Sequence, residues 1–251
     1  MDKYYLSDET WQTLYSILQK LRVIRVSDEE RTRNFIEAIY CMTRTGVQWN
    51  ELPERYGSYR AIHKRFLQWC CKGVFKYLLQ ALSKDYDAEW ISIDATFSRA
   101  HSCASGYEKG QNEREGLGRS AGGFTTKIHA CVDALGNALR FIITGGNRNE
   151  VTQAADLIDG FDGSDVLADK AYDSDEFIGK ITEQGGKAVI PPKSNRKNQR
   201  NYDEHLYKER HAIECFFNRI KHFRRIFSRF DKRAISFLGF LEFASSILWI
   251  R

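Results

Sequence analysis

A stretch near the end of the chain, from Tyr207 to Lys221, combines residue types that could do chemistry on a phosphate. Tyr207, Arg210, Glu214 and Lys221 recur at offsets of three, four and seven, which places them on one stripe of a helix. A second, apolar stripe contains Leu206, Ile213, Phe217 and Ile220. Such a helix buries one stripe and directs a glutamate, flanked by cations and a phenol, towards a metal ion or a phosphate. The alternative is an ordinary amphipathic helix with an ion pair between Arg210 and Glu214 on a solvated face.

Two aspartates upstream lie in or at the end of predicted strands, where they could act together with such a glutamate. The segment from Trp90 to Ser98 alternates apolar with small or polar residues, so we predict a strand with Asp94 in its middle. A carboxylate in a buried strand is costly unless it is paired or binds a cation. Asp169 follows a second predicted strand that starts at Asp165. Strand ends of this kind are where α/β folds place catalytic groups.

Asp94, Asp169 and Glu214 form an oxygen-rich set, separated by 75 and 45 residues. Carboxylate oxygens suit hard divalent cations such as Mg²⁺ or Mn²⁺. Two such ions per site can activate an attacking oxygen and stabilise the leaving oxygen of a phosphodiester. The three carboxylates therefore predict metal-dependent phosphoryl transfer on nucleic acid.

The charge distribution indicates a polyanionic partner. The chain carries a formal net charge of +5, but residues 193–233 contain 13 Lys and Arg against 5 Asp and Glu, a local +8, which leaves −3 for the remainder. A cationic block on a near-neutral body is typical of nucleic-acid binding, and a merely soluble basic surface is the alternative. Lys193, Arg196 and Lys197, directly before the helix, are candidate phosphate contacts; a solvated linker is the other interpretation.

Composition and cysteine spacing narrow the class of protein. A hydrophobic content of 42% in 251 residues is enough for a sizeable core and a small second domain. The six cysteines form no C-x-x-C pair, so neither a zinc site nor a disulfide framework is indicated. No stretch approaches about 18 consecutive apolar residues, and the first residues do not resemble a signal peptide. We therefore expect a soluble cytoplasmic protein without membrane contact.

The first 85 residues have helical patterns. Capping residues and apolar spacing predict helices over 7–24, from Ser27 to about Gly46 and, after a turn-rich connector, from Ser58 to about Cys71, with a further helix over 74–82. Helix, turn and helix in this order favour DNA binding. The third helix carries the candidate DNA contacts Arg60, Lys64 and Arg65. A helical bundle with a basic face that does not touch DNA is the alternative.

From Trp90 onwards the pattern is that of an α/β domain. Predicted strands at 90–98, 124–133, 138–145, 165–169 and 187–190 alternate with helices at 150–158, 175–184 and 207–221, and an apolar helix starts near Ile235. Residues 102–123 are rich in Gly, Ser and charge, which predicts a flexible loop that contacts substrate. We expect residues 1–85 to form a small all-α, helix-turn-helix-like DNA-binding domain and residues 86–251 to form the catalytic domain.

These motifs resemble those of the Asp-Asp-Glu transposases of bacterial insertion sequences, in the superfamily of insertion-sequence groups four and five. The resemblance rests on Asp94 in I-D-A-T, Asp169 in L-A-D-K-A-Y-D and the Tyr-x2-Arg-x3-Glu-x6-Lys pattern that starts at Tyr207. Residues 118–129 look like the stretch before the second strand in group five, and residues 44–59 are similar to its N-terminal helical domain, except at 47–48 and 50. The match spans nearly the whole chain.

The resemblance implies a ribonuclease-H-like mixed sheet flanked by helices, with Asp94, Asp169 and Glu214 as ligands of Mg²⁺ or Mn²⁺. It also implies that Tyr207, Arg210 and Lys221 hold DNA; Arg119 and Lys127, in the 118–129 stretch, are further candidate contacts. The expected activity is binding of double-stranded terminal repeats, metal-dependent strand cleavage and joining of the freed 3′-OH to target DNA. Pairing two element ends implies a homodimer or larger assembly, associated with the nucleoid when bound to DNA.

Two other functions fit parts of the same sequence. A non-catalytic DNA-binding regulator would use the N-terminal helices and carry vestigial carboxylates, which the retained Tyr207, Arg210 and Lys221 argue against. A nuclease that only hydrolyses DNA would need the same ions, because they serve water and a 3′-OH equally well.

Overall fold

The computed structural model describes residues 5–105, 111–196 and 199–250. It opens with helices α1 to α4, which span Asp8–Lys20, Glu29–Thr45, Tyr59–Cys71 and Val74–Leu82. Ser7 and Asp28 cap α1 and α2, because their side chains accept hydrogen bonds from the backbone N–H groups of Thr10 and Arg31. Helix α2 ends at Gly46, whose φ of 67° is a left-handed conformation that glycine adopts without strain. The four helices predicted for the N-terminal region are confirmed.

A mixed sheet forms the centre of the molecule. The described residues contribute seven strands, β1 to β7, which span Trp90–Ala100, Gly118–Ser120, Gly123–Val132, Ala138–Gly145, Asp165–Leu167, Ala188–Val189 and Ser228–Arg229. Their order is β2-β3-β1-β5-β6, with β4 paired to β3 and β7 paired to β1. Strand β1 is antiparallel to β3 and parallel to both β5 and β7. The predicted mixed sheet is therefore confirmed.

Helices cover both faces of this sheet. Helices α5 to α11 span Gln111–Arg114, Ala154–Ile158, Asp175–Glu183, Glu204–Tyr207, His211–Ile220, Arg224–Phe227 and Ala234–Trp249. On one face, Ile91 and Ile93 of β1 pack with residues of α6 and α7. On the other, Ile128 and Ala130 of β3 pack with α9, α10, α11 and the N-terminal helices. Alternate residues of a strand point to opposite faces, which is why neighbouring positions serve different cores.

The N-terminal helices share one continuous core with the C-terminal helix α11. The ring of Phe66 in α3 stacks on Phe240 in α11, with centroids 4.2 Å apart. Gly239 allows this close approach, since a Cβ there would lie 2.5 Å from Sγ of Cys70. The predicted domain boundary at residues 85 and 86 falls in the connector between α4 and β1. It stays a prediction, with a shared core across it.

The structure differs from the sequence predictions in several places. The expected loop 102–123 contains a 3-10 turn at Ser102–Ala104, the short helix α5 and strand β2, while residues 106–110 of it lie outside the described residues. Strand β2 forms because its three residues pair with Gly123, Phe124 and Thr125 of β3. The helix predicted over 207–221 is present, with a tighter 3-10 turn at Lys208–Arg210 between α8 and α9.

Candidate active site

Strand β1 presents polar side chains at alternate positions to the helical segment that follows α8. Arg210 donates from Nη1 to Oδ2 of Asp94 at 3.1 Å, and Lys221 donates from Nζ to Oγ1 of Thr96 at 2.6 Å. Ser98 donates to the carbonyl oxygen of Ile226 at 2.8 Å. The period-2 pattern of the strand thus places Asp94 directly under the helix that carries Arg210 and Glu214.

Asp94 lies at an opening in the sheet. Strand β5 pairs with β1 only at residues 90–92, and β7 pairs with it only at Arg99 and Ala100. On this edge, and within the described part of the chain, residues 93–98 of β1 have no strand partner. Asp94 therefore lies on a stretch of β1 whose edge is not covered by β5 or β7.

Asp169 approaches the same opening from β5. The parallel register joins Trp90 to Asp165 and Ser92 to Leu167, and its continuation by two residues brings Asp169 alongside Asp94. Oδ1 of Asp169 accepts a hydrogen bond from the N–H of Ala171 at 2.8 Å, which caps the 3-10 turn Lys170–Tyr172. The two aspartates that are 75 residues apart in the sequence are therefore close enough for the charge of Asp169 to act on Asp94, with Asp94 on β1 and Asp169 two residues beyond the end of β5.

Burial raises the pKa of Asp94 from its ordinary value of 3.8 to about 6. The negative charges of Asp169 and Glu150 add to this rise, while the hydrogen bond from the Ala95 N–H and the charge of Arg210 oppose it. The side chain of Asp94 is 19% exposed. Its ionised form is therefore costly in this setting, and a bound cation would lower that cost.

Glu214 reaches the site through Arg210. On α9, Ile213, Phe217 and Ile220 are buried as the apolar stripe predicted, whereas the Glu214 side chain is 53% exposed and pairs with the guanidinium of Arg210. The same guanidinium also binds Asp94, so one cation lies between the two carboxylates. The ring of Tyr207 lies 5.8 Å from it. The structure thus brings Tyr207, Arg210, Glu214 and Lys221 to the edge where Asp94 lies.

The carboxylate oxygens at the opening are of the kind that hard divalent cations prefer. Within the described ranges, no three acid, His or Cys side chains are grouped closely enough to hold one metal ion. Arg210 binds Asp94 through Nη1 and Glu214 through Nη2, so its guanidinium bridges these two carboxylates. The buried hydroxyl of Tyr172 has no hydrogen-bond partner in the described structure, so the site contains an unpaired polar atom as well as carboxylate oxygens.

Sequence reasoning missed two residues beside the aspartates. Burial raises the pKa of Tyr172, and the charges of Asp94, Glu150 and Asp169 raise it further, so these groups surround its hydroxyl. Tyr172 could have been found as part of the D-K-A-Y-D motif that contains Asp169. Glu150 has no comparable signal, because it only begins a predicted amphipathic helix.

Lys127 was predicted to contact DNA, and the structure places it in the protein interior instead. The residue is 6% exposed. Its Nζ lies 3.1 Å from Oε1 of Glu150 and donates to the carbonyl oxygen of Arg148 at 2.7 Å. Arg119, by contrast, is exposed on β2, with its guanidinium 5.9 Å from the ring of Phe124. Of these two residues, Arg119 is exposed to solvent and Lys127 is not.

The three predicted contacts on α3 also differ from one another. Arg60 and Lys64 are exposed. Arg65 donates to Oγ1 of Thr32 at 3.2 Å and lies 4.4 Å from the ring of Phe35, so it joins α3 to α2. Lys64 borders a cleft of about 440 Å³ whose lining also includes the cations Arg25, Arg31, Arg65 and Lys72.

The basic segment before α8 is folded onto the protein. Arg196 forms ion pairs with Asp173 at 2.8 Å and with Asp175 at 2.7 Å. Lys193 donates from Nζ to the carbonyl oxygen of Asp173 at 3.1 Å. Lys197, the third predicted contact of this segment, lies outside the described residues. The charged groups of Lys193 and Arg196 thus make contacts within the protein.

Comparison with known proteins places this geometry in a family. The family described as "Transposase DDE domain" matches residues 85–241, and one described as "Putative transposase of IS4/5 family" matches residues 6–79. The chain belongs to the DDE transposases. They are DNA-cleaving and strand-transferring enzymes, and the predicted resemblance to insertion-sequence transposases of this type is confirmed.

Relatives of this transposase include two insertion-sequence proteins. The "Putative transposase for insertion sequence element IS6501" of Brucella ovis is 42% identical over 129 residues, which cover 51% of this chain and 99% of that protein. The "Putative transposase for insertion sequence element IS402" of Burkholderia cepacia is 32% identical over 135 residues, 49% of this chain and 62% of that protein. Both support membership in the insertion-sequence transposases.

A solved structure supports the fold. The chain of the piggyBac transposase in a cryo-EM synaptic complex with hairpin DNA superimposes with a TM-score of 0.54 at 12% identity, over 99% of this chain and 73% of that chain. The predicted ribonuclease-H-like fold of the transposase is confirmed. No helix in the described ranges has both the length and the apolar character to cross a membrane.

Proposed function

We propose that this transposase binds the terminal inverted repeats of an insertion sequence, cleaves DNA strands with the help of divalent metal ions and joins the freed 3′-OH to target DNA. One observation carries the proposal. Asp94 lies on β1 at an opening in the sheet, Asp169 lies two residues beyond the end of the neighbouring parallel strand β5, and Arg210 links Asp94 to Glu214 on α9. Carboxylates from two strands and a helix supply the oxygen ligands that phosphoryl transfer needs.

Asp94, Asp169 and Glu214 are the proposed ligands of Mg²⁺ or Mn²⁺, with two ions per site. The buried carboxylate of Asp94, whose ionisation is costly, and the unpaired hydroxyl of Tyr172 fit such a site. Bound ions would supply an activated nucleophilic oxygen and stabilise the leaving oxygen. Glu214 joins the two aspartates when Arg210 gives up its carboxylate partners, and its exposed side chain leaves it free to move.

Arg210, Lys221 and Tyr207 are proposed to bind DNA phosphates around the scissile bond. Arg210 binds one oxygen of each of two carboxylates, and a phosphate could accept from both terminal nitrogens of the same guanidinium. Lys221 is fixed by Thr96, two residues after Asp94 on the same strand. The phenol of Tyr207 packs beside the guanidinium and is positioned to donate to a phosphate oxygen. These side chains would hold the strand without taking part in bond breaking.

The N-terminal helices are proposed to bind the duplex at a distance from the chemistry. Arg60 and Lys64 offer exposed charges on α3. Arg25 and Arg31 line the same cleft as Lys64, so the cleft presents several cations to one phosphate backbone. Arg65 supports this surface by holding α3 to α2, and Arg119 on β2 is a further contact.

Double-stranded DNA, from element ends and from target, is the proposed partner. The piggyBac relative in fold was solved in a synaptic complex with hairpin DNA, which fits this assignment. Pairing two element ends would require a homodimer or a larger assembly, in the cytoplasm and on the nucleoid. Lys193, Arg196 and Lys197 are proposed to lie near the DNA, with Arg196 held in place by its carboxylate partners.

The test is a joining reaction with purified protein, a labelled duplex of the flanking element end and a plasmid target. It is run with Mg²⁺, with Mn²⁺ and with a chelator. The proposal predicts metal-dependent transfer of the labelled 3′ end into the plasmid. Cleavage without joining would indicate a hydrolytic nuclease, and specific binding without cleavage in any metal would indicate a DNA-binding regulator. Either result would contradict the proposed function.

A further inference from the structure

Asp173 is a buried carboxylate that binds three residues of the basic segment, which spans residues 193–200. Its side chain is 0% exposed. It accepts hydrogen bonds from the N–H of Lys193 at 2.8 Å and from Nε of Arg196 at 2.8 Å, and it pairs with Nη2 of Arg200. Burial on its own raises the pKa of Asp173, but the hydrogen bonds from Arg196 and Lys193 and the charge of Arg200 outweigh it and hold the pKa below its ordinary value.

These contacts bring both ends of the segment to one point. Lys193 and Arg200 are seven residues apart and bind the same carboxylate. Gln199 adds to the closure by donating from Nε2 to the carbonyl oxygens of Lys193 and Arg196, each at 3.2 Å. A carboxylate that receives several charge-assisted bonds is a rigid attachment point.

The attachment point joins the elements that carry two of the proposed metal ligands. Asp173 directly follows the 3-10 turn Lys170–Tyr172, which Asp169 caps. Beyond Arg200, Asp203 caps α8 by accepting from the N–H groups of His205 and Leu206, each at 2.9 Å. The chain then continues through Lys208–Arg210 into α9 with Glu214. Asp173 thus lies four positions after Asp169, and Arg200 lies three positions before Asp203, the cap of the helical segment 204–220 that carries Glu214.

We propose that Asp173 is a positioning residue, which fixes the start of the helical segment 204–220 that carries Glu214 relative to Asp169 by binding Lys193, Arg196 and Arg200. This inference rests on the proposed function, because it assigns Asp173 to the alignment of the second and third carboxylates. It differs from a role for the segment in DNA binding. The guanidinium of Arg196 is bound to Asp173 and Asp175 and is only 18% exposed, so its main contacts lie within the protein.

The first experiment tests the attachment itself and needs no DNA. Full-length wild-type protein, Asp173→Asn and Asp175→Asn are treated briefly with trypsin, and cleavage after Arg196 and Arg200 is followed by mass spectrometry. Asp175 is a matched control because it also pairs with Arg196, yet its side chain is 87% exposed. We expect cleavage in Asp173→Asn at least about tenfold faster than in the other two, since local opening controls proteolysis. Equal rates in all three proteins would overturn the attachment.

The second experiment separates alignment from DNA binding. Single-turnover cleavage of an element-end duplex is measured at saturating DNA, and affinity is measured separately by fluorescence anisotropy. For Asp173→Asn we expect a rate at least about tenfold lower, with affinity within about threefold of wild type. A lower affinity with an unchanged saturated rate would overturn the positioning role, and so would faster proteolysis without a change in rate.

Arg200→Gln keeps the test decisive if Asp173→Asn does not fold, which a thermal melt will show. This variant removes one donor and leaves Asp173 bound to Lys193 and Arg196. We expect smaller changes in the same direction, with faster proteolysis and a lower saturated rate. Wild-type behaviour in both measurements would overturn the inference. If wild-type protein does not cleave DNA at all, the proposed function fails, while the proteolysis result still decides whether Asp173 closes the segment.

Discussion

Arg210 donates from Nη1 to Asp94 at 3.1 Å across 116 residues of sequence. Because the same guanidinium pairs with Glu214, a single cation neutralises the two carboxylates that come from the first strand and the late helix. In this state the arginine provides the positive charge that metal ions are proposed to provide during catalysis. Binding of DNA and metal would therefore begin with an exchange of partners at Arg210.

Replacing Arg210 by Gln should weaken binding of element-end DNA about tenfold, since a charge-assisted bond to phosphate contributes about 1.5–3 kcal/mol. The slope of log affinity against log salt concentration should decrease in magnitude by about one, as expected for the loss of one phosphate contact. Fluorescence anisotropy over a range of salt concentrations measures both. Lys208→Gln, which removes an exposed cation two residues earlier, is the control and should change affinity less than about twofold. Equal effects of the two variants would argue against a specific phosphate contact at Arg210.

Asp94→Asn should stabilise the metal-free protein while abolishing cleavage. Burial raises the pKa of Asp94 from 3.8 to about 6, so the folded state binds more protons than the unfolded state between these values and loses stability as pH rises through them. At pH 7.5 the amide should gain about 1–3 kcal/mol, because each tenfold change in an acid dissociation constant corresponds to about 1.4 kcal/mol. The gain should shrink as pH falls from 6 towards 4.

Urea denaturation in chelator measures this change. Asp85→Asn, on the exposed connector before β1, is the control for removing one negative charge. If Asp94→Asn were destabilising at pH 7.5, the ionised carboxylate would be contributing stability through Arg210, and its proposed readiness for a cation would be wrong.

Glu242 on α11 should make stability depend on pH between about 4.5 and 8. Burial raises its pKa from 4.5 to about 8, and the charge of Lys76 opposes the rise. The folded state therefore retains a proton that the unfolded state releases, so stability falls as pH rises from about 4.5 through 8. Glu242→Gln should melt at a higher temperature than wild type at pH 8.5 and lose most of this dependence. The exposed Glu183→Gln should leave the wild-type profile unchanged, and a similar profile in Glu242→Gln would contradict the assignment.

The pair of Arg225 and Asp231 should be important for joining the N-terminal helices to the rest. Arg225 binds Asp231 with two hydrogen bonds at 2.9 and 3.0 Å and donates to the carbonyl oxygen of Val47 at 3.0 Å. Asp231→Ala leaves this guanidinium buried without its partner and should cost about 3–5 kcal/mol of unfolding free energy. Asp8→Ala breaks the exposed pair with Arg33 and should cost less than about 1 kcal/mol. Denaturation curves of both variants compare them, and similar losses would show that burial of the pair does not matter.

The periodicity of the sequence predicted the structural features that depend on local sequence. The stripes of the helix around Glu214, the strand with Asp94 and the stop of α2 at Gly46 were all visible, because each follows from residue spacing or from a single conformational requirement. The candidate carboxylates were found in the same way, since an acid in an otherwise apolar strand stands out.

The remaining features depend on contacts between distant residues. The stacking of Phe66 on Phe240 joins the N-terminal helices to α11, and nothing in either segment indicates the other. Lys127 looked like a free cation in the sequence, yet Glu150 and the carbonyl of Arg148 bind it in the interior. Strands β2 and β7, which were not predicted, are short segments that pair with β3 and β1.

The most direct test of the proposed metal site is single-turnover cleavage of an element-end duplex by Asp94→Asn, Asp169→Asn and Glu214→Gln, with DNA affinity measured in parallel. Glu209→Gln, which removes an exposed carboxylate from the turn before α9, is the matched control. We predict that each of the three variants loses at least about 100-fold in rate while binding DNA within about threefold of wild type, and that the control retains activity. Cleavage within about tenfold of wild type by any one of the three would contradict the assignment of that carboxylate to the metal site.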